Sequence, residues 1–527
     1  MRKLQSTTDE SRSHGAARRA HVPQGRGYSR LFISFVIVML ALARVEGAVT
    51  KNQPGAETVV KTKELSLVRV NVTGQSYDYV RPWQKRAPFS KRALGAVLAK
   101  GRVLVTADLV VNQNYVELER AESGEKMAAN VAVIDYEANL ALLEPIDKKF
   151  LDGLAPLQVG LDTVVGDRIA AWQLEPTGAL VSTEGLVTTV QTMRYPAEVG
   201  QFLAYRVSIP MQWRENSYTV PIIKNSKLAG ILLHYDPRSQ VLDAIPAPII
   251  AHFLKDAETD HYRGFPSSGF SFFPTRDPQL RNFSGETGKP AGVYVTSVEP
   301  NMPAAKAGLQ VGDIVVGVGN NEIDQNGNYV DPLYGKLDFT NLITTRSYPG
   351  DTIPFQIQRN GKPMQLSVTL DHRDAQDYVV PPYVADRPPS FFVLGGLIFQ
   401  ELSRQYLREW GGNWQKDAPQ RFVYIDRFQS ELFSEGKRRV VILSQVLPAN
   451  STIGYDDLAY LVVTKVNGQE VKSLGELAEA VKHPLDGFIK IETQEDPKQI
   501  ELDAAQVEAE APALQENYNL PSLQRLP

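Results

Sequence analysis

Two of the side chains that most often carry covalent or acid–base chemistry are scarce in this sequence. Cysteine is absent from all 527 residues, which removes thiol nucleophiles, thiolate metal sites and disulfides. The seven histidines, His14, His21, His234, His252, His261, His372 and His483, stand singly. None forms an H-x-x-x-H pair, no acidic residues cluster at metal-ligand spacing, and no phosphate-binding loop is present. Neither a metal nor a cofactor is expected. The chemistry left open is that of a hydroxyl nucleophile, which needs a base within hydrogen-bond reach and a carboxylate to orient that base. His234 closes a strand-like run and reads as a structural histidine.

The elements that would position such groups are mostly strands. Short apolar runs recur at Val103–Thr106, Asn114–Leu118, Val131–Ile134, Ala138–Leu143, Arg168–Trp172, Gly185–Val190, Phe202–Ile209 and Leu228–His234, with Pro, Gly, Asp and Asn between them. That spacing predicts an all-β barrel or sandwich. Ala247–Asp260 has apolar residues at helical spacing and is expected to close this region. At 43% hydrophobic and 22% charged, the chain has room for about three domains. Its net charge is −4, and −9 without residues 1–47, which carry eight Lys/Arg and three Asp/Glu. An acidic chain of this kind is a poor candidate for nucleic acid. In residues 1–47, Arg18, Arg19, Arg26 and Arg30 precede the thirteen-residue apolar run Leu31–Ala43. The run is short for a membrane span, so residues 1–47 read as a signal peptide, with an uncleaved anchor as the alternative.

The wording of Ala93–Val111 and Val131–Pro145 is more specific. It resembles the first barrel of the trypsin-like, PDZ-bearing HtrA/Deg proteases, with Val105–Val111 in the "TNxHVV" position and Asp135–Leu143 in the "D-x-x-x-DLALL" position. Arg81-Pro82-Trp83-Gln84 resembles the plant-type Deg subgroup. The string from Gly292 to Ile323, with Pro303-Ala304-Ala305 and Gly308-Leu309-Gln310-Val311-Gly312-Asp313-Ile314, is similar to a PDZ signature; Val441–Val471 resembles a second, divergent PDZ-like unit. The implied fold is mainly β: a two-barrel trypsin-like domain followed by two PDZ-like α+β domains. The expected division is a signal peptide (1–47), an N-terminal lead-in (48–88), the trypsin-like domain (89–256), PDZ domain 1 (257–372), a Pro-rich linker (373–389), PDZ-like domain 2 (390–504) and a disordered tail (505–527).

By the resemblance, the catalytic lettering is gone. Leu109 stands where the general base belongs and Asn139 where its orienting carboxylate belongs. The nucleophile segment, "GNSGGPLV" in such families, reads Glu215-Asn216-Ser217-Tyr218-Thr219-Val220-Pro221. Matching letters puts Ser217 at the nucleophile; counting back from Pro221 puts Tyr218 there. On the letter match Glu215 replaces the oxyanion-hole glycine, where a carboxylate would repel the developing charge. Loss of the base alone costs on the order of a millionfold where a triad acts as a unit. A degenerate protease is therefore expected, one that binds peptide or protein as a scaffold or chaperone-like assembly. The alternative is an active serine endopeptidase with a non-standard arrangement, such as Ser217 with Lys224, or Asp236 with His234.

For PDZ domain 1 the resemblance implies peptide binding by Ser268, Gly269, Phe270 and Phe272 on the carboxylate loop and strand, and by Phe339, Leu342 and Ile343 on the facing helix, expected over Asp338–Thr345. It also implies polypeptide C-termini or unfolded segments as partners, a homo-oligomer (a trimer or a multiple of one) and a periplasmic or otherwise extracytoplasmic address. Contact with a membrane is expected only through an uncleaved leader.

Overall fold

The computed structural model describes residues 58–60 (backbone only), 66–283, 291–433 and 438–527. The expected signal peptide lies outside the described residues. No helix among them is long and apolar enough to cross a membrane.

Thirteen strands build the two barrels: β1 (Thr58–Val60), β2 (Leu67–Gly74), β3 (Phe89–Leu98), β4 (Arg102–Val105), β5 (Gln113–Arg120), β6 (Lys126–Asp135), β7 (Leu140–Pro145), β8 (Arg168–Leu174), β9 (Leu180–Arg194), β10 (Gln201–Ser208), β11 (Pro221–Lys224), β12 (Lys227–Asp236) and β13 (Val241–Pro246). The first barrel closes in the order β2-β3-β4-β7-β6-β5, with β5 returning to β2. The second runs β9-β10-β13-β12-β11-β8 and closes through β8–β9; β1 adds to β9. Each expected strand run falls on one of these elements. The boundary expected at residue 89 is corrected: β2, drawn into the lead-in, is a wall of the first barrel and pairs with both β3 and β5. Its residues alternate, with Val68, Val70 and Val72 buried, which is the period a half-buried strand requires.

Helix α1 (Ala107–Val110) is a single turn between β4 and β5, and α2 (Ala247–Asp256) follows β13. The α2 stripe of Ile249, Ile250 and Phe253 is buried. The core of the second barrel runs on without a break into the first PDZ unit, where Phe202 meets Phe265 edge-on at 5.2 Å. Tyr205 and Tyr334 share a hydroxyl hydrogen bond of 3.1 Å, and Thr344 Oγ1 donates to the Gln201 carbonyl (3.2 Å).

The first PDZ unit is an antiparallel sheet ordered Phe270–Pro274, Val293–Val298, Ile314–Val318, Thr352–Arg359, Lys362–Thr369, with a short helix at Thr340–Thr344. In the second, Leu397–Glu401 pairs with Val441–Val446, the same relation that Phe270–Pro274 has to Val293–Val298. The disordered tail is also corrected. Ala504–Asn517 is a helix N-capped by Asp503, and Gln524–Arg525 is a strand paired with Phe391–Leu394. The Glu/Ala-rich composition that suggested disorder is equally that of a helix former, and the apolar anchors are few but sufficient: Val507, Leu514 and Leu520 are buried. Leu520 packs with Phe391, Val393 and Ile398. Leu520→Ala is expected to cost about 2–4 kcal/mol of stability. Urea unfolding followed by tryptophan fluorescence would measure it, and a change under about 0.5 kcal/mol would show that the tail does not hold this cluster together.

Candidate functional site

Leu109, Asn139 and Ser217, expected as the positions of a degenerate triad, are each occupied by a group with a structural task. Leu109, in α1, is fully buried in the first-barrel core beside Val105, Val110, Ala141 and Leu143. A leucine has no proton to exchange; here it completes a hydrophobic cluster. Asn139 sits in the β6–β7 turn at φ 54°, a left-handed conformation that asparagine tolerates better than most residues. It is buried, and its Oδ1 accepts from the Asp108 amide at 2.9 Å, just ahead of the base position. This link between turn and α1 fixes backbone, and among the described residues the Asn139 Nδ2 has no partner.

Ser217 is fully buried between β10 and β11. Its Oγ accepts from Gln173 Nε2 at 2.7 Å and from the Arg214 amide at 3.1 Å, while its own amide donates to the Arg214 carbonyl (3.1 Å). The hydroxyl oxygen is thus spent on closing a tight turn. Gln173 also donates to the Gln212 carbonyl (2.9 Å), so β8 clamps this loop from below. No histidine, lysine or carboxylate is among the hydrogen-bond partners of Ser217. Lys224, the alternative base, gives its ammonium to the Asp162 carbonyl and to Asp167 Oδ2, both at 2.7 Å; those contacts outweigh its desolvation and raise its pKa. His234 is exposed on β12, and Asp236 is occupied with Ser239 and the Arg238 amide. The structure does not bring the alternative dyads together at Ser217.

Tyr218 follows and packs against the first-barrel core. Its hydroxyl accepts from Lys91 Nζ (3.1 Å) and donates to the Asp108 carbonyl (3.3 Å); the same ammonium lies 4.6 Å from the centre of its ring. Burial pushes the Tyr218 phenol up and the Lys91 ammonium down from their ordinary values. Sequence reasoning missed Lys91, since β3 lies more than 120 residues from its tyrosine. Thr219 completes the segment: its Oγ1 lies 2.8 Å from Thr106 Oγ1, both buried, and its carbonyl accepts from the Leu94 amide (3.1 Å). The expectation for Glu215 is corrected in its cause. The carboxylate is 77% exposed and pairs with Arg92 at 2.7 Å, so it turns to solvent and does not supply the repulsion.

The peptide-binding candidates divide. Phe270, Phe272 and Phe339 come together, with ring centroids 6.3 Å (Phe270–Phe339) and 4.8 Å (Phe272–Phe339) apart. Phe339 and Ile343, however, are fully buried core residues, and the facing helix is shorter than expected. Leu342, Phe270 and Phe272 are partly buried at the surface of that core. Gly269 has φ 74°, and a Cβ there would lie 2.2 Å from the Met302 Cβ, so glycine is required. The strand Phe270–Pro274 ends its sheet and, among the described residues, has no strand on its outer edge. In the second unit the matching edge, Leu397–Glu401, is covered by Phe391–Leu394, which in turn carries Gln524–Arg525. The sequence could not separate these cases, because Gly395-Gly396 divides one apolar run into two paired strands.

Asn139→Asp tests the reading of the orienter position. A carboxylate there would be buried with no imidazole to neutralise it, so its pKa is raised above the unfolded value of about 3.9. The variant should therefore match the parent at pH below about 4 and lose stability as the pH rises, by about 1–3 kcal/mol at pH 7. Thermal melts across that range would show it; equal stability at pH 7 would count against a position fixed by neutral hydrogen bonding.

Comparison with known proteins places these features. PDZ domain families match residues 269–370 and 380–524. The chloroplastic Protease Do-like 2 of Arabidopsis thaliana is 25% identical over 437 residues, covering 82% of this chain and 70% of the relative. The mitochondrial Protease Do-like 4 of the same plant is 23% identical over 487 residues, 91% of this chain and 89% of the relative. Among solved structures, an HtrA-type protease, AlgW with a decapeptide, superposes with a TM-score of 0.44 at 18% identity over 59% of this chain and 96% of that one. With two PDZ domains behind a trypsin-like double barrel, the chain is similar along most of its length to proteases of the HtrA/Deg type.

Proposed function

We propose that this chain is a pseudoprotease that binds polypeptide through its first PDZ domain. One observation carries the reading: the Ser217 hydroxyl is buried in a Gln173-clamped turn, while a fully buried leucine fills the base position. Rebuilding one of these positions leaves the others, so Leu109→His with Asn139→Asp gives no turnover. Binding then falls to the open edge at Phe270–Pro274, where an extended peptide adds as a strand and its last side chain meets Phe270, Phe272 and Leu342. The second PDZ domain, its matching edge already taken by the chain itself, serves packing. An assembly of identical subunits, trimeric or a multiple of three, and an address outside the cytosol fit this reading; the chloroplastic and mitochondrial relatives point the same way on address.

Two measurements test the proposal. The chain is expected to leave unfolded casein intact and to take no label from a fluorophosphonate; cleavage that disappears in Ser217→Ala would establish the active endopeptidase instead. A fluorescent peptide ending in a hydrophobic residue with a free carboxylate should bind with a micromolar dissociation constant, about −8 kcal/mol. Leu342→Asp, at a partly buried position, should weaken it about tenfold or more while circular dichroism stays unchanged. Equal binding of the amidated peptide would remove the open edge as the site.

A further inference from the structure

The segment between the PDZ domains lies across the first barrel beside the base and orienter positions. Its first part belongs to the second PDZ domain: the Val380 amide donates to Gln429 Oε1 (2.9 Å), and Arg439 donates to the carbonyls of Gln376 and Tyr378 at 2.7 and 2.6 Å. Its next part, Tyr383 to Asp386, rests on the barrel. Asp386 Oδ1 accepts from the Asn112 amide at the end of α1 (2.5 Å), and Asp386 Oδ2 accepts from the Tyr136 hydroxyl. The rings of Tyr136 and Tyr383 lie 5.5 Å apart. Under them, in the β6–β7 turn two residues before Asn139, is Glu137, a carboxyl only 6% exposed. Tyr383 lies beside it, and among the described residues its Oε1 has no partner.

A buried carboxyl with one unsatisfied oxygen and no cation beside it is stable only when neutral. The groups that face it sharpen this. Asp135, from its own turn, accepts the amides of Glu137 and Ala138 at 2.8 Å and the Tyr262 hydroxyl at 2.5 Å. Tyr262 comes from the segment after α2, and Tyr378, Tyr383 and Asp374 come from the inter-PDZ segment. Cations lie behind these groups: Arg373 stacks on the far side of Tyr378 at 3.7 Å, and Arg404 pairs with Asp426. His372 packs beside Gly264 on the Asp135 side, and Asp256 lies beyond Tyr262. Glu137 is thus walled in by phenols and acidic groups.

We propose that Glu137 is the latch of a strap: in its neutral form it holds residues 383–386 against the first barrel, and its ionisation lets them go. The direction follows from linkage. Desolvation, then the Asp135 charge, holds the Glu137 pKa well above its ordinary 4.5 in the docked state. Docking is therefore strongest below 4.5 and weakens as the pH rises, until the docked-state pKa is passed. Within that window the docking equilibrium falls by about tenfold for each pH unit.

The native chain contains no cysteine, so a single thiol reports on the strap. With Ala385→Cys in the full chain, maleimide labelling is followed from pH 5 to pH 8.5, each rate divided by that of a free thiol peptide at the same pH. Protection should fall by more than tenfold across the range with Glu137 present, and stay flat and high with Glu137→Gln, which keeps the shape without the charge. Tyr383→Phe should lower protection even at pH 5. Hydrogen exchange of the 383–387 amides, corrected for its intrinsic pH dependence, gives the same reading without the introduced thiol. Protection that is independent of pH with Glu137 present, or that falls equally in Glu137→Gln, overturns the proposal; the second outcome would assign the effect to His372 or the surrounding phenols.

Discussion

The structure depends on the seam at which residues 217–219 are sewn between the barrels. Thr219 contributes a buried hydroxyl pair to Thr106 and a backbone hydrogen bond to Leu94, both in the first barrel, while Ser217 two residues earlier is held by Gln173 of the second. In a working hydrolase this junction must leave a hydroxyl free and poised beside a base. Here the hydroxyls of Ser217, Tyr218 and Thr219 are all engaged within the protein. Buried hydrogen bonds that must all be made fix the relative position of two domains. Leu109 completes the first-barrel core and Tyr218 seals its rim, with its hydroxyl capped by Lys91.

How much of this was legible in the sequence follows from what kind of signal each feature leaves. Period-2 alternation placed the barrel strands, and the β2 sequence Val68-Arg69-Val70-Asn71-Val72 shows it as clearly as any; only its assignment to the lead-in failed, because barrel closure is a long-range pairing that local pattern does not encode. The tail failed for a different reason. Composition averages over residues, and three buried apolar side chains are enough to dock a segment that reads as polar.

The site was legible as an absence more than as a presence. The departures from the expected base and orienter are visible in the letters at Leu109 and Asn139. The direction in which Ser217 points, the Gln173 clamp and the outward turn of Glu215 depend on side chains from β8 and β3 that have no fixed spacing from the nucleophile loop. Similarly, Phe270, Phe272, Phe339 and Ile343 carry one sequence signal, apolar at strand or helix spacing. Only burial separates the core pair from the residues at its surface.

Tyr136, Tyr262, Tyr378 and Tyr383 surround a turn that, in an active relative, would have to hold a charged carboxylate toward an imidazole. Asn139 is neutral, and the Asp135 carboxyl of the same turn is satisfied by amides and one phenol. The neighbouring Glu137 is buried against the inter-PDZ segment, where beside the Asp135 carboxyl it is most stable protonated. A neutral side chain at residue 139 thus bears on the electrostatic environment of the turn, and the segment that joins the two PDZ domains is packed on it.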